Sequence, residues 1–237
     1  MIEHIEQGTL PAHAKACIAL TSWKKRINTV GLTIYNLFET CGPDYHIVLT
    51  LAEEEFPKKE QELPRDLVLM NKAGMFEFLW VKKNWKSFKK WIFCSIRFPK
   101  VPVISADDDC IYICNYAEQL YTKWSNNDRS SIYTYNFHAP TGIQHGPTTI
   151  YPPQCFGEAA VKFLTSKILM TNHDDCYYGM LAKLLNIKII NISNQICYIF
   201  HDTNNALSDG AEVPVYKSCM IVWSEIMKML SKEKRRV

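Results

Sequence analysis

Three consecutive carboxylates, Asp107-Asp108-Asp109, follow the apolar run 101–106 and precede Cys110-Ile111-Tyr112. Adjacent carboxylates repel one another, and an apolar core offers nothing to neutralise them. In an extended chain Asp107 and Asp109 point to one side and Asp108 to the other. Two carboxylates aimed together bind a hard divalent cation such as Mg²⁺ or Mn²⁺; a solvated acidic turn is the plainer alternative. No D-x-D-x-D-G loop with a distal Glu occurs, which excludes an EF-hand. A second acidic group, Asp174-Asp175 after His173, opens an amphipathic helix, where carboxylates cap the chain and complement the helix dipole. His201-Asp202 follows an apolar run, and a lone histidine there reads most simply as structural or exposed. Lys89-Lys90 reads as a solvated helix face. The loop Thr21-Ser22-Trp23-Lys24-Lys25-Arg26 follows the first apolar run, the place where a nucleotide-binding α/β fold meets its nucleotide, although a basic surface loop would look the same. Glu53, at the end of the second run, can meet a base or ribose. There is no Gly-x-Gly-x-x-Gly and no Walker Lys-Ser/Thr, so neither dinucleotide nor P-loop ATP binding is supported.

These residues need elements to hold them. Short apolar runs alternate with amphipathic helices over about two thirds of the chain, which predicts an α/β fold with a largely parallel sheet. Strands are expected at 16–20, 46–51, around 78–81, and at 101–106, 131–135, 187–190 and 195–200. Val30, Ile34, Leu37 and Phe38 form one helix face, with Asn28 or Thr29 as cap. Ser87 is expected to cap a helix carrying Phe88, Trp91, Ile92 and Ile96, ended by Pro99. Asn115 with Glu118 reads as a capping box before Ala117, Leu120, Tyr121 and Trp124. A Gly/Pro-rich stretch, 138–157, reads as a long binding loop. Helices follow from Asp174, with Tyr177, Leu181, Leu184 and Leu185 inward, and over 221–230.

At 237 residues, with 47% hydrophobic and 22% charged side chains, the chain has the size and balance of a folded globular domain. A net charge of +3 gives no case for nucleic acid as a partner. Nine cysteines at irregular spacings, with no C-x-x-C, read as reduced thiols. The first residues do not form a signal peptide and no run is long enough to span a bilayer, so a cytoplasmic location is expected. The basic C-terminal end, KEKRR after an amphipathic helix, can lie peripherally on the inner face of an anionic membrane or pack as a plain helix with a solvated tail.

The run V-I-S-A-D-D-D-C-I-Y resembles the D-x-D element of GT-A-fold glycosyltransferases, the bacterial, family-2-like group in particular. Ser87-Phe88-Lys89-Lys90-Trp91-Ile92 with Phe98-Pro99 resembles the S-[YF]-K-K stretch of that group. D-D-C-Y-Y-G at 174–179 resembles the E-D-x-Y-x-G element of inverting enzymes, departing from it by Asp for Glu at 174 and Cys at 176. The resemblance covers roughly residues 15–202. It implies a Rossmann-like GT-A sheet flanked by helices in one domain. About 15–110 would form the donor nucleotide-binding half, 111–205 the acceptor and catalytic half, and 206–237 a tail helix. It implies a hexosyltransferase using a nucleotide sugar, UDP-linked foremost, with Mn²⁺ or Mg²⁺, and a hydroxyl of a glycan or lipid-linked acceptor, in surface polysaccharide or lipopolysaccharide assembly. Asp109 would be the main metal ligand, with Asp107 and His201; Asp107 and Asp108 would meet the ribose or complete the metal shell. Lys90 would lie near the donor, Thr21 and Arg26 would contact base and phosphate, and Asp175 would be the general base. Two other readings stand beside it: an aspartate/metal phosphotransferase, disfavoured because the cluster follows the fourth strand rather than the first, and a non-catalytic nucleotide-sugar or metal-binding module.

Overall fold

The computed structural model describes residues 3–135, 137–138, 143–144, 147–192, 198–201 and 215–234. A seven-stranded sheet forms its centre. Strands β1 (Ala16–Thr21), β2 (Tyr45–Ala52), β3 (Glu77–Val81) and β4 (Val103–Ser105) are parallel, with β1 paired to both β2 and β4. On the far side, β6 (Ile132–Thr134) and β10 (Ile189–Asn191) also pair in parallel. Between β4 and β6 runs β9 (Thr149–Tyr151), antiparallel to both, giving the order β10-β6-β9-β4-β1-β2-β3. Two small ribbons lie outside this sheet: β5 (Cys110–Tyr112) with β11 (Tyr198–Phe200), and β7 (Phe137–His138) with β8 (Ile143–Gln144), each antiparallel.

The pleat of β1 explains the layering. Successive side chains point to opposite faces, so Ala16, Ile18 and Leu20 enter one core and Cys17 and Ala19 the other. The first core takes α1 (Val30–Cys41), α2 (Arg65–Lys72) and α4 (Tyr116–Ser125). The second takes α3 (Lys89–Arg97), two single-turn helices α5 (Ala159–Lys162) and α6 (Ser166–Leu169), α7 (Asp174–Leu184) and α8 (Val215–Lys234). Its centre is aromatic. Trp91 meets Tyr151, Phe156 and Tyr178, and the rings of Phe156 and Tyr178 stack with centroids 5.7 Å apart. Those rings fix α3 against α7, the two helices whose first turns carry Lys90 and Asp174.

The structure corrects several expectations. Residues 149–151 are a buried strand inside the sheet, not part of a loop, and form the one antiparallel strand of a sheet that is otherwise parallel, as expected. Ser87 does not cap α3: it lies in a 3₁₀ turn, 86–88, and its hydroxyl donates to the carbonyl of Asn172 at 3.2 Å. Thr29 stands at the N-cap of α1, but its hydroxyl donates back to the Arg26 carbonyl instead of capping. Half of the capping box is present. Asn115 Oδ1 accepts from the N–H of Glu118 at 3.0 Å, while the Glu118 carboxylate turns to Tyr45 and Lys15. The eight cysteines within the described residues are in no disulfide; Cys197 lies outside those residues, as do Asp202 and the first part of the strand expected at 195–200.

Candidate active site

The site lies at the carboxyl ends of β1 and β4, where an open α/β sheet leaves backbone groups and loop residues facing a crevice. Past Ser105 the chain makes one last sheet bond, Ala106 N–H to Ala19 O at 3.0 Å, and turns over Asp107–Asp109 into β5. The three aspartates are therefore in a turn and do not alternate as an extended chain would. Asp108 and Asp109 go together into the protein and Asp107 goes elsewhere, and the interior does supply partners for them.

Those partners come from the loop after β1. Arg26 places Nη1 2.7 Å from Asp108 Oδ1 and Nη2 2.9 Å from Asp109 Oδ2, all three side chains less than a tenth exposed. Ser22 donates to the other oxygen of Asp108 at 2.6 Å. A buried guanidinium shared by two carboxylates is a strong, directional contact. Arg26 is thus an internal counter-ion and not a residue of a basic surface loop. Asp107 is bound on the opposite side by Lys90, whose Nζ is 2.7 Å from Oδ1. The same ammonium lies 3.8 Å from Asp174 Oδ2. Lys90 therefore bridges the two acidic groups that the sequence keeps far apart. Lys89, its neighbour, is buried against the loop before α3, donating to Asn84 Oδ1 and the Lys86 carbonyl, each at 3.1 Å, with Glu55 3.9 Å away.

Asp174 and Asp175 begin α7, Asp174 buried and Asp175 half-buried. Asn172, just before, adopts a left-handed φ of 58°, a conformation asparagine accepts more readily than most residues. His201 directly follows β11, and its N–H donates to the carbonyl of Asp109 at 2.8 Å. Its Nε2 is 2.9 Å from Thr33 Oγ1. So Arg26, Lys90, Asp107, Asp108, Asp109, Asp174, Asp175 and His201 come to one end of the sheet. Thr21 and Glu53 have other partners: the Thr21 hydroxyl donates to Thr50 O at 2.8 Å, and the Glu53 carboxylate pairs with Lys59 at 2.9 Å.

Carboxylates outnumber cations here, and the pKa shifts follow. Burial, with Asp107 beside it, pushes Asp109 up to about 6 against the pull of Arg26. Burial likewise raises Asp108 and Asp174, opposed chiefly by Arg26 and Lys90 respectively. Burial would lower the Lys90 ammonium, but Asp107, Asp174 and Asp175 carry it well above the ordinary lysine value. A crevice of crowded carboxylates that resist ionising fits a divalent cation, and hard oxygen donors suit Mg²⁺ or Mn²⁺. Among the described residues, however, no three histidine, cysteine, aspartate or glutamate side chains are grouped closely enough to hold a metal ion as they stand.

Two of these contacts escaped the sequence reading. Ser22 sits in the loop already singled out, but nothing marked it above its neighbours. Thr33 did carry a signal: it is a polar residue three positions after Val30 and four before Leu37, on the buried stripe of α1.

No protein-family model and no curated protein matches the chain in sequence. Solved structures do match it in shape. A mannosyltransferase from Pyrobaculum calidifontis, in complex with GDP-Man and Mn²⁺, superposes with a TM-score of 0.57 at 10% identity over 86% of this chain. TarS 1–349 from S. aureus, in complex with UDP, gives 0.56 at 12% identity over 90% of this chain. The chain has a glycosyltransferase fold. It spans 62% and 65% of those two proteins, so each has a substantial part without counterpart here. The α/β architecture implied by the resemblance to GT-A enzymes is therefore confirmed at the level of fold.

Proposed function

We propose that the chain is a metal-dependent hexosyltransferase that moves a sugar from a nucleotide sugar to a hydroxyl of a glycan or lipid-linked acceptor, with inversion, in bacterial surface polysaccharide or lipopolysaccharide assembly. The observation that carries this reading is the Lys90 bridge. Within a glycosyltransferase fold, one ammonium joins the D-D-D turn to the D-D helix start, so a donor-holding group and a proton acceptor share one crevice. The two matching structures hold GDP-Man with Mn²⁺ and UDP, which supports a nucleotide-sugar donor and a divalent metal.

In this reading Asp107, Asp109 and His201 would hold the Mn²⁺ or Mg²⁺, which requires Asp107 to turn from its contact with Lys90 toward Asp109. When bound, the metal supplies Lewis-acid neutralisation of the departing diphosphate. Asp108, with both oxygens engaged by Ser22 and Arg26, holds the turn in shape, and Arg26 acts on the donor through that turn. Lys90 adds fixed positive charge beside the phosphates. Thr21 and Glu53, at the ends of β1 and β2, belong to the base and ribose side, with UDP-linked sugars the first donors to try. Asp175 takes the proton of the acceptor hydroxyl; that oxygen bonds to C1 as the C1–O bond to the diphosphate breaks, its electron pair leaving with the nucleotide. On the outer surface, α8 exposes Met220, Trp223 and Met227 beside Lys217 and Lys228, which supports peripheral contact with an anionic membrane.

The test is transfer by two variants. Asp175→Asn should lower turnover about 100-fold or more while donor binding persists. Asp109→Ala should lose metal-dependent donor binding as well. Near-normal turnover in Asp175→Asn removes it as the base. Nucleotide binding without transfer or donor hydrolysis in the unmodified protein would favour a binding module instead.

A further inference from the structure

Cys176 and Cys219 meet where α8 lies on α7, with their sulfurs 3.1 Å apart. Cys176 is in the first turn of α7, directly after Asp175, and is 1% exposed; Cys219 is in the second turn of α8 and is 9% exposed. A disulfide is about 2.05 Å long, so these sulfurs have only about 1 Å left to close. Bond formation needs the two sulfurs within reach of each other and no more. Buried thiols ordinarily behave as small apolar side chains. Cys17 and Cys94 do so: they too are neighbours, but both are wholly buried between β1 and α3. Cys219 differs in its setting. Its helix packs by one face on α6 and α7 and turns Met220 and Trp223 to solvent. A helix held on one face opens locally at lower cost than the centre of a sheet. Burial, with Cys219 beside it, holds the Cys176 thiol well above its ordinary value, so Cys219 meets a reagent first.

We propose that Cys176 and Cys219 are a reversible redox pair, a modification site that takes a hydroperoxide and closes to a disulfide fastening α8 to α7. With hydrogen peroxide, Cys219 Sγ attacks one oxygen as the O–O bond breaks. The other oxygen leaves as water, and Cys219 becomes a sulfenic acid. Cys176 Sγ then attacks that sulfur. The S–S bond forms, the S–O bond breaks, and the oxygen departs as a second water with the Cys176 proton. Two thiols are oxidised by two electrons and the peroxide is reduced to two waters. An external dithiol reverses the bond by exchange. The resting pair is reduced, in keeping with the thiols expected from the sequence, and the bond is a transient one. It ties the helix start that carries Asp174 and Asp175 to the last helix, but it does not rest on the glycosyltransferase reading.

The test treats the folded full chain with hydrogen peroxide, alkylates the remaining thiols in denaturant, and maps the peptides by mass spectrometry. The expected product is a monomer lighter by two hydrogen atoms, with Cys176 joined to Cys219 and the bond removed by dithiothreitol. Its melting temperature should rise by about 5–10 °C over the reduced form, with no rise in Cys219→Ala or Cys176→Ala treated alike. Both cysteines recovered alkylated, Cys219 recovered as an unlinked sulfinic acid, or a bond between other cysteines instead overturns the proposal. These results come from the unmodified protein and are decisive even where an alanine variant does not fold. A linked form that melts no higher than the reduced one overturns the fastening of α8.

Discussion

Arg26 and Lys90 divide the carboxylates of the crevice between them, one holding Asp108 and Asp109, the other Asp107 and Asp174. The acidic residues were legible in the sequence because like charges in a row demand an explanation. Their partners were less so. Lys90 was placed through a resemblance, while nothing in Thr21–Arg26 indicated that the arginine would turn inward to two aspartates 82 and 83 positions on. Lys89 shows what the neighbouring position does instead. Burial lowers its ammonium to about 8, opposed by Glu55, with Asp108 and Asp174 also facing it. The folded protein thus releases this proton near pH 8, whereas the unfolded chain keeps it to about 10.5. Between those values the unfolded state binds more protons, so this group makes stability rise with pH across the window, and its burial penalty is fully present below it. Lys89→Met removes that contribution. The stability of the unmodified protein relative to Lys89→Met should rise by about 1–3 kcal/mol from pH 7.5 to 9.5, measured by urea unfolding at each pH. Parallel curves would show that Lys89 does not titrate there.

At the scale of elements, the strands that end at the site were readable because buried parallel strands are continuous apolar runs, and β1, β2 and β3 came within a few residues of their observed bounds. The strand β9 was not. Thr149-Ile150-Tyr151 is three residues long and lies between Pro147 and Pro152-Pro153, so local composition spoke for a loop while pairing with β4 and β6 decided otherwise. Helix α2 went unread for a similar reason: only Leu67 of its residues is buried, leaving little periodicity to see. The place of β9 has an energetic consequence. Ile150 is wholly buried between the two halves of the sheet, so Ile150→Ala should cost about 2–5 kcal/mol, as at a core position. Unfolding in denaturant checks this; a change under about 0.5 kcal/mol, typical of a surface site, would mean that β9 is not part of the core.

For the molecule as a whole, the sheet brings the D-D-D turn, the start of α7 and the end of β11 to one end, while α8 lies on the layer formed by α6 and α7. Among the described residues no helix is long and apolar enough to cross a membrane. The exposed Met220, Trp223 and Met227, with lysines on the adjoining face, instead predict binding to vesicles containing anionic lipid and weak binding to neutral ones, lost as salt rises. Co-sedimentation reads this directly, and Trp223→Ser with Met227→Ser should reduce it; equal binding to both vesicle types would argue against the surface.

The most direct test of the account is thermal unfolding of the unmodified protein and Asp109→Asn with UDP-, GDP-, CMP- and dTDP-linked sugars, each with and without Mn²⁺. The account predicts a rise of about 5–10 °C with one nucleotide class at roughly 100 times its dissociation constant, only when Mn²⁺ is present, and absent in Asp109→Asn. No rise with any donor at saturating metal, or the same rise in Asp109→Asn, would contradict it.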